Sequence, residues 1–78
     1  MQSEIPRPLQ TALVVDDEPQ IRRLLRVTLE ANGYRAVEAV NGQGGVAEAA
    51  QRRPDVVLLG LGLPDLDGLE VLRRIREW

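Results

Sequence analysis

Two acidic stretches carry the side chains of this chain that could do chemistry. The first is Asp16-Asp17-Glu18, and the second runs from Asp55 to Gly68 with Asp65 and Asp67 near its end. Carboxylates are hard oxygen donors, and Mg²⁺ takes such donors in an octahedral shell completed by water. Two acidic loops meeting at one edge of a sheet would line a site for such an ion. Histidine and cysteine are absent, which excludes imidazole catalysis, thiol chemistry, disulfides and the usual zinc sites. Each aspartate also has a plainer reading. A helix cap accounts for one of Asp16 and Asp17 but does not need both. Asp65 and Asp67, next to Gly68, read as turn formers ahead of a helix, and no metal role is assigned to them.

The elements that must position these residues follow from patterning. Val56 to Leu59 is too short for a buried helix and reads as a strand buried on both faces, ended by Gly60, Gly62, Pro64 and Gly68. Thr11 to Val15 is a strand of the same kind. After it, Asp17 is placed to cap a helix, with Pro19 in the first turn and Gln20 as capping-box partner. Ile21, Leu24, Leu25, Thr28 and Leu29 give that helix an apolar stripe, and Arg22, Arg23, Arg26 and Glu30 face water. Asn32-Gly33 stops it through a left-handed residue.

Tyr34 to Ala39 alternates polar and apolar residues, as a strand near a sheet edge does. Asn41-Gly42 and Gly44-Gly45 form a turn. Val46, Ala49 and Ala50 then mark a short helix reaching about Arg53 and ended by Pro54. In the last helix Leu69, Leu72 and Ile75 face inward, with Glu70, Arg73, Arg74 and Glu77 outside. Residues 1–10, with Pro6 and Pro8, form an extended lead-in.

Strand and helix alternate three times with short connections, which implies an α/β fold with a doubly wound parallel sheet in the order 2-1-3. In such sheets ligands sit at the carboxyl ends of the strands, where both acidic stretches fall. The 78 residues make one domain with an aliphatic core, since the chain has no Phe, one Tyr and one Trp. A net charge of −2 gives no reason to expect nucleic acid or an anionic membrane as partner. No apolar run approaches the roughly 20 residues of a membrane span and no secretion signal is recognisable, so a cytoplasmic location is expected.

Leu13-Val14-Val15-Asp16-Asp17-Glu18, the Asn32-Gly33-Tyr34 turn, Ala39-Val40-Asn41-Gly42 and the run from Pro54 to Gly68 together resemble the receiver domain of two-component response regulators. The match holds in register from about Thr11 to the end. Its third loop and last helix look most like the potassium-transport (Kdp) branch of the OmpR/PhoB class of transcription factors. The resemblance implies a flavodoxin-like (CheY-like) sheet and a phosphorelay, in which a histidine kinase passes its phosphoryl group to an aspartate beside a bound Mg²⁺. By position, Asp16 and Asp17 match the acidic pair that holds the metal, and Gly62 matches the residue lending a backbone carbonyl. Gly60 falls where the phosphoacceptor aspartate belongs. Glycine has no carboxylate to attack a phosphohistidine or to ligate Mg²⁺, so the resemblance implies a weakened metal site and no catalytic residue at this position.

The family fold has five βα units and three are recognisable here. The expectation is a truncated receiver over residues 11–78, without the distal Ser/Thr and Lys contacts to the phosphoryl group. Two other functions stay open. One is a Mg²⁺-dependent phosphotransferase or phosphatase with Asp16 as nucleophile, and the other is an inactive folding fragment held by self-association. The third strand is interior in the complete family fold, so here it presents an unpaired edge and the first helix loses a neighbour. A homodimer paired through that edge is the expected assembly.

Overall fold

The computed structural model describes residues 9–77. Residues 1–8 of the expected lead-in, and Trp78, lie outside that range. The elements are Thr11–Val15 (β1), Pro19–Ala31 (α1), Arg35–Ala39 (β2), Gly42–Arg52 (α2), Val56–Leu59 (β3) and Gly68–Ile75 (α3). The three strands pair in parallel in the order β2-β1-β3, as the alternation of elements predicts.

Strand β1 has a hydrogen-bonded neighbour on each side, and Ala12 to Val15 are all 0% exposed. Alternate residues of a strand point to opposite faces. Leu13 and Val15 belong to a core cluster with Ala39 and Ala49, packed against Val37, Val57, Leu59, Leu63 and Ile75. That face is covered by α2 and α3. Val14 faces the other way, and its register partner Glu38 reaches Arg22 and Arg26 of α1, which places α1 on the second face.

The structure corrects the inward face of both amphipathic helices. In α1, Ile21 and Leu24 are 39% and 61% exposed and Thr28 is exposed, whereas Arg22, Leu25, Arg26 and Leu29 are half-buried. Arg22 and Arg26 turn toward the sheet because Glu38 offers them a carboxylate there, at 3.1 and 3.3 Å. The remaining stripe, with Val27 52% exposed, lies open. In α3 the buried positions are Gly68 and Val71, with Ile75 half-buried, while Leu69 is 77% exposed. Contact with α2 decides this: Val71 lies so close to Gly42 that a Cβ there would sit 2.9 Å from its Cγ2.

Three further expectations change. Asp17 does not cap α1. Glu18 is the capping residue, with no side-chain bond of its own, and the turn is instead closed by Asp16, whose Oδ1 accepts the Glu18 N–H at 2.9 Å. Pro19 lacks an N–H, so the first turn has one fewer amide to satisfy. The glycines at 42, 44 and 45 form the first turn of α2 rather than a loop before it. Strand β3 is not buried on both faces: Val56 is 37% exposed and Val57 to Leu59 are half-buried, because β1 is its one strand neighbour among the described residues.

Helix ends follow the sequence more closely. Gly33 has φ +88°, the left-handed turn read from Asn32-Gly33. Arg53 closes α2 in the left-handed region at φ 48°, with its N–H on the Ala49 carbonyl, and Pro54 then prevents continuation.

Candidate functional site

The carboxyl ends of the strands bring Asp16 and Gly60 together. The Asp16 N–H donates to the Ala39 carbonyl at 3.1 Å, and the Gly60 N–H donates to the Val15 carbonyl at 2.8 Å. The ladder thus runs one residue past each strand and sets both loops at one edge. Asp16 is half-buried and Asp17 exposed. The Asp16 carbonyl accepts from Arg22 Nη1 at 2.9 Å, and Arg22 Nε donates to Glu38 Oε1. An arginine read from sequence as water-facing therefore braces the acidic loop.

A Cβ placed on Gly60 would lie 2.9 Å from Asp16 Oδ2 and 3.2 Å from the Val15 carbonyl oxygen. The Asp16 carboxylate lies where a side chain at position 60 would begin. Gly62 is exposed, and a Cβ there would meet nothing within 4 Å. Mg²⁺ calls for several oxygen ligands in near-octahedral array. Among the described residues no group of three or more carboxylates, imidazoles or thiols gathers. One Asp16 oxygen is engaged by the Glu18 N–H, and the other lies against Gly60. In this arrangement the residues do not fit a resident Mg²⁺.

The second acidic stretch is structural, as read, but with a longer reach than turn formation. Asp67 caps α3 by accepting the Glu70 N–H at 2.9 Å. Asp65 accepts the N–H groups of Gly42 at 2.7 Å, Gln43 at 2.9 Å and Leu66 at 2.9 Å. Asn41 Oδ1 accepts the Gly44 N–H at 2.7 Å. The amides of the glycine-rich first turn of α2 are thereby satisfied by two side chains. These donors, that of Gln43 foremost, hold the Asp65 carboxyl below the usual carboxylate range.

On the outer face of α3, Glu70 accepts from Arg73 at 2.6 Å and Arg74 at 2.8 Å, which brings its pKa down to about 2. Arg73 is raised in return, chiefly by Glu70. At the opposite end of the strands a groove of about 570 Å³ is lined by Ala49, Ala50, Arg53, Pro54, Val57 and Ile75.

The motif order, the 2-1-3 sheet and the acidic loops at its carboxyl edge agree with what comparison with known proteins finds. A family model described as the response regulator receiver domain matches residues 12–78. The chain belongs to the response regulator receiver domain family.

This receiver domain is 50% identical over 70 residues to the KDP operon transcriptional regulatory protein KdpE of Escherichia coli, covering 90% of the chain and 31% of that protein. It is 52% identical over 66 residues to the transcriptional regulatory protein KdpE of Mycobacterium tuberculosis, covering 85% of the chain and 29% of that protein. Among solved structures, the response regulator protein TrrA of Thermotoga maritima in complex with Mg²⁺-BeF superposes with a TM-score of 0.84 at 39% identity. That match covers 88% of this chain and 60% of that one. The receiver thus spans less than a third of these curated relatives. No helix among its described residues is long and apolar enough to cross a membrane.

Proposed function

We propose that this chain is a receiver module of a transcriptional phosphorelay that does not itself accept a phosphoryl group. Glycine at position 60 carries the reading, because phosphotransfer requires a carboxylate nucleophile at the end of the third strand and this residue supplies none. Asp16, Asp17 and the Gly62 carbonyl are the remnant of a metal site and bind Mg²⁺ weakly at most. The partner class is a histidine kinase, met through surface contact without transfer. No catalytic turnover is assigned, and the module works in the cytoplasm.

The test is incubation with a radiolabelled phosphohistidine kinase, or with acetyl phosphate, in the presence of Mg²⁺. The chain is expected to remain unlabelled while a relative with an aspartate at the matching position takes up label. Label on any residue of the chain overturns the reading, and label on Asp16 would instead favour a phosphotransferase using that carboxylate.

The same module associates with a second copy through β3. Its outer edge has no strand partner among the described residues, and Val56 and Leu61 are 37% and 80% exposed. An open apolar edge pairs readily with another strand. Antiparallel pairing about a twofold axis would give a sheet of order 2-1-3-3′-1′-2′. Sedimentation at micromolar concentration is expected to show a dimer, and a folded monomer would rule this assembly out.

A further inference from the structure

Resting on the reading of residue 60 as the phosphoacceptor position, we infer that the carboxylate of Asp16 takes the place of the missing side chain. The carboxylate at that position is then supplied from the loop after β1. The first observation is spatial. A Cβ on residue 60 would come 2.9 Å from Asp16 Oδ2, closer than such atoms settle without displacement, with the Val15 carbonyl oxygen at 3.2 Å and Asp16 Cγ at 3.3 Å. Residue 60 and Asp16 therefore compete for one volume, and with glycine the carboxylate holds it.

The second observation is that the backbone of Asp16 is fastened and its carboxylate is held by one bond. Its N–H donates to Ala39, its carbonyl accepts from Arg22, and its Oδ1 accepts the Glu18 N–H at 2.9 Å. Arg22 is held in turn by Glu38 at 3.1 Å. Swinging the carboxylate away from Gly60 breaks the bond to Glu18, the residue from which α1 starts. A side chain at 60 is thus coupled to the start of α1 through a single carboxylate. The same geometry accounts for the poor fit to Mg²⁺, since an ion would have to draw Asp16 out of this pose.

A double-mutant cycle on the full chain tests this, with Gly60→Ala, Asp16→Ala and the double variant followed by urea denaturation and by the backbone amide resonance of Glu18. Gly60→Ala is expected to lower the urea midpoint in the parent and to lose part of that effect in the Asp16→Ala background, the part due to the Val15 carbonyl oxygen at 3.2 Å remaining. It should also move the Glu18 amide in the direction that Asp16→Ala moves it. Equal lowering in both backgrounds, or a Glu18 amide unmoved by Gly60→Ala, overturns the inference. Should Gly60→Ala not fold, a folded double variant supports it and an unfolded one rejects it. Phosphoryl labelling reads the assignment of residue 60 separately, because a chain that takes no label can still show additive midpoints.

Discussion

Asp65 Oδ1 accepts the backbone N–H of Gly42 at 2.7 Å, joining the loop after β3 to the first turn of α2 across 23 positions of sequence. A helix that opens on Gly42, Gln43, Gly44 and Gly45 has little intrinsic reason to start there. The carboxylate supplies one, by accepting amides that the helix cannot satisfy internally. Glycine at 42 is the counterpart of this arrangement, since a Cβ would meet Leu66 Cβ at 2.8 Å and Asp65 Oδ1 at 3.1 Å.

Asp65→Asn keeps the shape but loses the charge and one acceptor oxygen. It is expected to lower the urea midpoint at pH 7 without changing the denaturant slope. The folded-state pKa of Asp65 is depressed, so its contribution is present above the ordinary aspartate value of about 3.9 and is lost as pH falls through the folded value. The gap between parent and variant should therefore close in acid. A gap that persists there would show the charge to be irrelevant.

Gly45→Ala should destabilise the protein, although alanine is the better helix former by about 1 kcal/mol. A Cβ at 45 would lie 2.9 Å from both methyl carbons of Val15. Val15 is 0% exposed and stiff at its branched Cβ. Overpacking of this kind costs about 1–3 kcal/mol, enough to outweigh the gain in propensity. The penalty should shrink in a Val15→Ala background, and urea melts of the four chains decide the matter.

The face of α3 can be read by truncation. Val71→Ala removes two methyl groups from a site that is 0% exposed and should cost about 2 kcal/mol once the cavity is included. Leu69→Ala, at a site 77% exposed, should change stability by less than about 0.5 kcal/mol. The opposite ranking would mean that α3 is rotated about its axis.

Glu70→Gln should matter at low ionic strength and little in 1 M salt, where the screening length falls to about 3 Å. Glu70 meets Arg73 and Arg74 on an open surface, where ion pairs contribute modestly. Its pKa of about 2 fixes the sign: the contribution is present above the ordinary glutamate value of about 4.3 and fades as pH drops toward 2. Thermal melts across salt and pH, in parent and variant, measure both effects.

Element order, sheet topology and the position of Gly60 were legible in the sequence because they depend on local signals: apolar runs, a left-handed glycine at 33, and prolines at 19 and 54. The faces of α1 and α3 were not. Arg22 turns inward because Glu38 lies across from it, and Leu69 turns outward because Val71 meets Gly42; neither partner is a neighbour in sequence. Asp65 is the same case. Its composition announces a turn, and its bonds to Gly42 and Gln43 exist once the loop has folded back over α2. Gly44 and Gly45 misled for a related reason, since low helix propensity was outweighed by capping from Asn41 and Asp65 and by close packing on Val15.

Strand β1 is the first element among the described residues, and it is completed when the third strand arrives. Its partners, Arg35–Ala39 on one side and Val56–Leu59 on the other, both arrive after an intervening helix, so the sheet contains no hairpin from which to zip. Every rung closes a long loop before it is rewarded, the condition that slows folding. During synthesis the fully buried segment Ala12 to Val15 must therefore wait uncovered for the segments that will flank it.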